Sequence, residues 1–265
     1  MPAVKGQACA LVLITKCDPM KMTFKKSIIT AITFYTCLLG NAQLTASKYE
    51  FGINAGTFVY QGDLTPSAVG SFKTPGFVLG INGSRHLTNK FSVRLDLNIG
   101  KLKGDDAAYN KPAWRQERSF AFKTPVTELI TSIVWDALGR ERKFSPYVFA
   151  GIGYSFLNIK RNYANFNSEF FAAEPATIEG LNDDIAHRLP KGLPIVPMGL
   201  GLRYRITNSL SLNSEASYRY ISTDYLDGFS HAANADKKDH YYKFSIGLTY
   251  SKDNSGKGGL DCPKF

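Results

Sequence analysis

Cysteine is nearly absent from this chain where it would matter. Cys9, Cys17 and Cys37 all fall within the first 42 residues, and Cys262 is the only one beyond them. A lone cysteine cannot form an internal disulfide, which removes the small disulfide-stapled folds from consideration. Long apolar runs are missing too: no stretch after residue 42 reaches the ~20 apolar residues of a membrane-spanning helix. Nor is there a basic run. The formal charge of +10 falls to +6 once residues 1–42, with five lysines and one aspartate, are set aside. That modest excess is not gathered into a nucleic-acid footprint.

The front end has a different character. From Met22, Lys25 and Lys26 form a basic start, Ser27 to Leu39 an apolar core, and Gly40-Asn41-Ala42 a small-residue cleavage site. This predicts a secretory signal peptide cut between Ala42 and Gln43, with residues 1–21 an upstream extension. Cys37 is not read as a lipid-attachment site, because Phe34-Tyr35-Thr36 before it lacks the usual leucine and small residues. The domain reading is therefore 1–42 extension and signal peptide, 43–250 one domain, and 251–265 a tail.

What the rest of the chain has is alternation. In FSVRLDLNIG, Phe91, Val93, Leu95, Leu97 and Ile99 alternate with Ser92, Arg94, Asp96, Asn98 and Gly100. A period of two sends these sets to opposite faces of a strand. The same rhythm recurs from Tyr49 to Val59, Phe77 to Ile81, Val148 to Phe156, Val196 to Ile206, Leu210 to Tyr220 and Tyr242 to Tyr250. Between Phe122 and Trp135 it is blurred, although Leu129, Thr131, Ile133 and Trp135 can share a face opposite Glu128. The count is eight strands and no convincing helix.

Connection lengths alternate as well. Leu87–Lys90, Ala137–Phe144 and Thr207–Ser209 are short, whereas 61–74, 104–119, 161–192 and 224–238 are long. Short turns at one end and long loops at the other is the plan of an outer-membrane barrel, the short ones periplasmic. Strands of ~9–11 tilted residues suffice to cross. Tyr49, Tyr147, Tyr204, Tyr220, Tyr242 and Tyr250, near strand ends, are read as interfacial girdles. A soluble sandwich or lipocalin-like barrel would alternate equally well with its faces reversed. Three features favour the membrane: a polar face rich in glycine, few charges of both signs on it, and long loops collected at one end. The expected fold is all-β, an eight-stranded antiparallel transmembrane β-barrel with both termini periplasmic.

An eight-stranded barrel is only wide enough to be filled by side chains. Glu50, Arg94, Asp96, Glu128, Arg203, Arg205, Glu215, Arg219 and Lys243 are the inward charges, expected to pair because an unpaired buried charge is costly. With Phe58 and Phe149 they should close the lumen to solutes. For catalysis, Ser84 and His86 share a strand face and invite comparison with membrane-barrel lipid hydrolases, but His86 sits at a short-turn end. Asn182-Asp183-Asp184 and Gly104-Asp105-Asp106 offer carboxylates to calcium without a recurring ligand spacing, and read as solvated turns. No catalytic residue, cofactor, metal, nucleic-acid partner or small-molecule substrate is expected.

Several segments resemble a known family. They are Tyr60-Gln61-Gly62-Asp63-Leu64, Gly100-Lys101-Leu102-Lys103-Gly104-Asp105, and Phe122-Lys123-Thr124-Pro125-Val126-Thr127-Glu128-Leu129. Ser145-Pro146-Tyr147-Val148-Phe149-Ala150-Gly151-Ile152-Gly153 and the end Cys262-Pro263-Lys264-Phe265 complete the set. In this order, over residues 48–265, they are similar to the PorG family, the outer-membrane barrel component of the Bacteroidetes type IX secretion system. The resemblance implies a non-catalytic barrel that ties a periplasmic ring of lipoprotein and partner subunits to the outer-membrane lipid. The tail fits such a role. It is polar and Gly-rich to Gly259, then turns apolar, and Leu260, Cys262 and Phe265 are the candidate docking residues. Two other classes stay open: an adhesin-like or porin-like barrel whose loops bind something outside, and a lipid-modifying enzyme.

Overall fold

In the computed structural model, residues 49–67, 70–140, 142–233 and 238–252 are described. The predicted signal peptide and the docking residues Leu260, Cys262 and Phe265 lie outside them. The alternating segments form eight long antiparallel strands: β1 (Tyr49–Gln61), β2 (Gly76–His86), β3 (Phe91–Asp105), β4 (Ala121–Asp136), β5 (Phe144–Leu157), β7 (Gly192–Arg205), β8 (Leu210–Tyr220) and β9 (His240–Lys252). A three-residue strand, β6 (Lys160–Asn162), extends the edge of β4 beyond its pairing with β5. Each long strand pairs with the next along the chain, and β1 pairs with β9, so the meander closes on itself. Closure gives each of the eight long strands a partner on both sides, the condition a sheet must meet to cross lipid.

The direction of the faces decides between the two barrels that alternation left open. The apolar set points outward: Ile53, Ile81, Ile133 and Leu200 are each close to 60% exposed. Glu50, Arg94, Asp96, Glu128, Arg203, Arg219 and Lys243 are buried inside. A soluble barrel would have these reversed, so the wall is built for hydrocarbon and the chain spans a membrane with strands. Among the described residues no helix is long and apolar enough to cross.

At the end with short turns, Tyr49, Phe91, Trp135, Phe144, Tyr204 and Tyr250 stand outward as an aromatic ring. Tyr147 does not join it. Its neighbour Val148 faces lipid, so strand parity turns Tyr147 inward, where it is 2% exposed and hydrogen-bonds Glu215. Gly201 lies directly opposite it, and a β-carbon there would come within 2.3 Å of the Tyr147 ring. The small residue makes room for the large one inside a narrow lumen.

The long loops hold more structure than periodicity reveals. Helices occupy Trp114–Arg118 and Pro175–Ala186, so the expectation of no helix is corrected. Pro175 starts the second with its backbone angle preset for a first turn. Gly180 of that helix lies against the His231 carbonyl, where a β-carbon would come within 2.5 Å. The backbone at His231 and Ala232 therefore packs against the helix. Leu64, Phe120, Leu181, Leu226 and Phe229 join the upper lumen residues Phe58, Phe122 and Tyr241 in one buried apolar cluster. The loops thus form a cap continuous with the lumen.

Candidate functional site

The lumen is the place where sequence concentrates chemistry, and its charges lie in three tiers. At the turn end, Glu50 accepts from Arg140 Nη2 at 2.6 Å and from Ser251 Oγ at 2.7 Å. Arg203 Nη1 donates to Asp136 Oδ1 at 2.5 Å. His86 Nε2 lies 2.7 Å from Arg140 Nη1 and 3.2 Å from Glu50 Oε1. Since guanidinium can only donate, the His86 nitrogen facing it is the bare one, occupied as an acceptor.

In the middle tier Arg94 bridges two carboxylates, Asp96 at 3.0 Å and Glu215 at 2.5 Å, with its guanidinium 4.4 Å from the Phe149 ring centroid. Lys243 Nζ donates to Asn54 and Asn98 at 2.7 Å each. Asn98 in turn donates to Glu128 at 3.0 Å, linking this tier to the one above. There Glu128, fully buried, also accepts from Tyr241 at 2.5 Å and from Arg219 at 3.3 Å. Between the tiers remains a cavity of about 20 Å³ beside Glu50, Arg94, Arg203 and Glu215, room for roughly one water.

The nine residues expected inside are therefore not equivalent. Glu50, Arg94, Asp96, Glu128, Arg203, Glu215 and Arg219 join ion pairs, and Lys243 is held by two amide oxygens. Arg205 is half-buried at the turn end, where its guanidinium reaches the Arg140 carbonyl. Two members were missed. Asp136 continues the inward parity of Glu128 along β4, a signal the sequence did contain. Arg140 comes from a turn and folds back into the lumen, and no periodicity marks it.

The carboxylates read as solvated turns are corrected as well. Asp106 is fully buried and holds Arg115 Nη1 and Arg118 Nε, each at 2.6 Å. Asp184, also fully buried, accepts the backbone N–H groups of Ser230, His231 and Ala232. Asp106 folds its own loop around two arginines that also reach the Asp63 carbonyl, and Asp184 clamps one loop to another. Among the described residues no group of three or more His, Cys, Asp or Glu is placed to hold a metal.

A third feature of the cap responds to pH. Tyr60 has one hydroxyl proton but sits 2.7 Å from Asp227 Oδ2 and 2.6 Å from Asp239 Oδ1. One of the two carboxyls must therefore carry a proton and donate it to the hydroxyl oxygen. Burial, reinforced at Asp239 by its neighbour Asp227, holds both carboxyls well above the usual range, and burial pushes nearby Asp224 up to about 6. Acids with raised native values stabilise the fold below the unfolded value, ~3.9, and lose that contribution as pH rises through the native one. The cap should thus be firmest in acid and loosen from about pH 4 upward, past 6. Urea titration followed by Trp114 emission in a Trp135→Phe background should give a lower midpoint at pH 8 than at pH 5. Asp227→Asn should flatten that difference; an undiminished difference in the variant would assign the pH response elsewhere.

Comparison with known proteins matches a family model described as a domain of unknown function, DUF6089, to residues 26–256. A search of the curated proteins finds no match. Among solved structures, Neisserial surface protein A is 14% identical, covering 76% of this chain and 96% of its own, with a TM-score of 0.45. Ail, the attachment invasion locus protein of Yersinia pestis, is 8% identical over 78% and 100%, with a TM-score of 0.41. A major outer membrane protein from Thermus thermophilus is 13% identical over 78% and 100%, at 0.43. Likenesses of this size carry no functional argument.

Proposed function

The chain belongs to the DUF6089 family, and from that premise, which assigns no activity, we propose that it is a non-catalytic outer-membrane barrel that anchors the periplasmic ring subunits of a type IX secretion system. The closed lumen carries the reading. A barrel filled by paired charges, Phe58 and Phe149, with space for one water, leaves its work to its two ends and its wall. The turn end is taken as periplasmic, after the usual asymmetry of short turns and long loops. The ordered segments that resemble the PorG family supply the partner. A catalytic role is set aside because His86 Nε2 is occupied as the acceptor of Arg140 Nη1, where a general base needs a free nitrogen.

Deleting Leu260 to Phe265 tests the anchor. The barrel should still reach the membrane and keep its heat-modifiable gel mobility, while ring subunits no longer co-purify from gently solubilised membranes and secretion stops. Normal secretion with unchanged co-purification would defeat tail docking. A second reading, an adhesin-like barrel, has one observation in its favour: Phe72, Trp114, Tyr163 and Phe170 stand exposed on the loops. It places the partner at the loop end, so substitutions there would then abolish binding and the tail deletion would not.

A further inference from the structure

Three lysines stand side by side across three neighbouring strands. Lys103 of β3 is opposite Lys123 of β4, and Lys123 is opposite Lys160 of β6. Lys101, one outward position nearer the lipid on β3, faces Pro125. All four stand on the outer side of the wall. Neighbouring strands lie about 4.8 Å apart, and like charges set opposite each other weaken the pairing. Among the described residues, the ion pairs include none of these lysines. The described residues thus form a concentrated positive row that none of these ion pairs engages.

Its height along the wall is specific. From Phe91 to Lys101 the outward face of β3 climbs roughly 25 Å at the ordinary rise and tilt of barrel strands, the height of a hydrocarbon-facing band. The row thus begins where hydrocarbon ends and headgroups start. Directly below Lys101, Ile99 and Leu97 continue the same face into a shallow apolar groove shared with Ala55, Leu79 and Ile81. The lysines extend from β3 over β4 and β6, while the groove runs from β3 across β2 to β1. Charge and apolar surface therefore meet at Lys101 and match one molecule with both characters.

We propose that Lys101, Lys103, Lys123 and Lys160 bind the anionic, phosphate-bearing headgroup of a membrane lipid in the leaflet at the loop end, with an acyl chain along the groove. The ammonium groups serve phosphate as point charges, and a headgroup with two phosphates spans the row. The site does not depend on the secretion reading. It uses the orientation given above only to name that leaflet as the outer one, and so to choose a probe.

The test is urea unfolding of the full chain in phosphatidylcholine vesicles, with and without bis-phosphorylated lipid A. Lipid A should raise the wild-type midpoint. A K101Q/K103Q/K123Q/K160Q variant should match wild type in phosphatidylcholine alone and lose the rise. Arginine at the same four positions should keep it, and K123Q, at the centre of the row, should show a smaller rise if the fourfold glutamine variant fails to insert. An equal rise in the glutamine variants, or none in wild type, would overturn the site. The same rise on adding inorganic phosphate to detergent-solubilised protein would overturn the lipid as its ligand.

Discussion

Glu128→Ala should destabilise the barrel by about 3–5 kcal/mol, the usual cost of leaving a buried charge without its partner. Glu128 is fully buried and serves Arg219, Asn98 and Tyr241 at once. Truncation would leave the Arg219 guanidinium with a hydrogen bond to Ser217 and the ring faces of Phe58 and Tyr241. None of these supplies negative charge. The urea midpoint in lipid vesicles should fall sharply, while Glu128→Gln, which keeps an acceptor of the same shape, should fall less. Removing both charges should do less damage than removing one, because an apolar pair of similar volume avoids the desolvation penalty. Glu128→Leu with Arg219→Met is therefore expected to recover most of the lost stability. A double variant as unstable as Glu128→Ala would mean that packing, and not charge, holds this tier.

The barrel was legible because its alternation is a direct imprint of two solvents. FSVRLDLNIG assigns lipid and lumen residue by residue, and the register agrees throughout β3. The blurring along β4 has a physical cause. Val126, Ile130 and Val134 face inward there and are buried, while Thr127 and Thr131 face out. Near the cap, at Val126 and Ile130, the lumen becomes an apolar core, and Val134 joins a second apolar cluster with Tyr147 and Phe149 at the turn end. The contrast that parity relies on therefore disappears. Asp136 and Tyr147 could have been placed by extending parity from Glu128 and Val148. Arg140 could not, since a turn residue that folds back into a lumen has no period. The cap was illegible for a related reason. Asp106 finds its arginines further along its own loop and Asp184 its partners in another, and an isolated acidic cluster looks the same whether it meets water or an arginine.

Asp106→Ala should open the cap while leaving the barrel standing. Asp106 receives Arg115 Nη1 and Arg118 Nε at 2.6 Å each, and both arginines also donate to the Asp63 carbonyl. Arg118 is layered between Trp114 and Phe120, and Phe120 stacks on Phe229 of the 221–239 loop at 4.3 Å. One carboxylate thus fixes two guanidinium groups that position the aromatic layer joining two loops. Its loss leaves two buried cations facing carbonyl oxygens and aromatic rings, without the carboxylate that Asp106 supplies, again about 3–5 kcal/mol. That amounts to a hundredfold or more, roughly, in the opening equilibrium. The strand ladder does not pass through this clamp, so opening should be local. Trypsin reports it directly, because Arg115 and Arg118 are themselves its cleavage sites and are 7% and 4% exposed in the native cap. Cleavage after these two residues should accelerate strongly in Asp106→Ala, with the heat-modifiable mobility of the barrel unchanged. Asp106→Asn, which keeps one acceptor oxygen, should be cut at an intermediate rate. Equal cleavage in wild type and variant would show that the arginines are held by the surrounding carbonyls and rings, with the carboxylate contributing little.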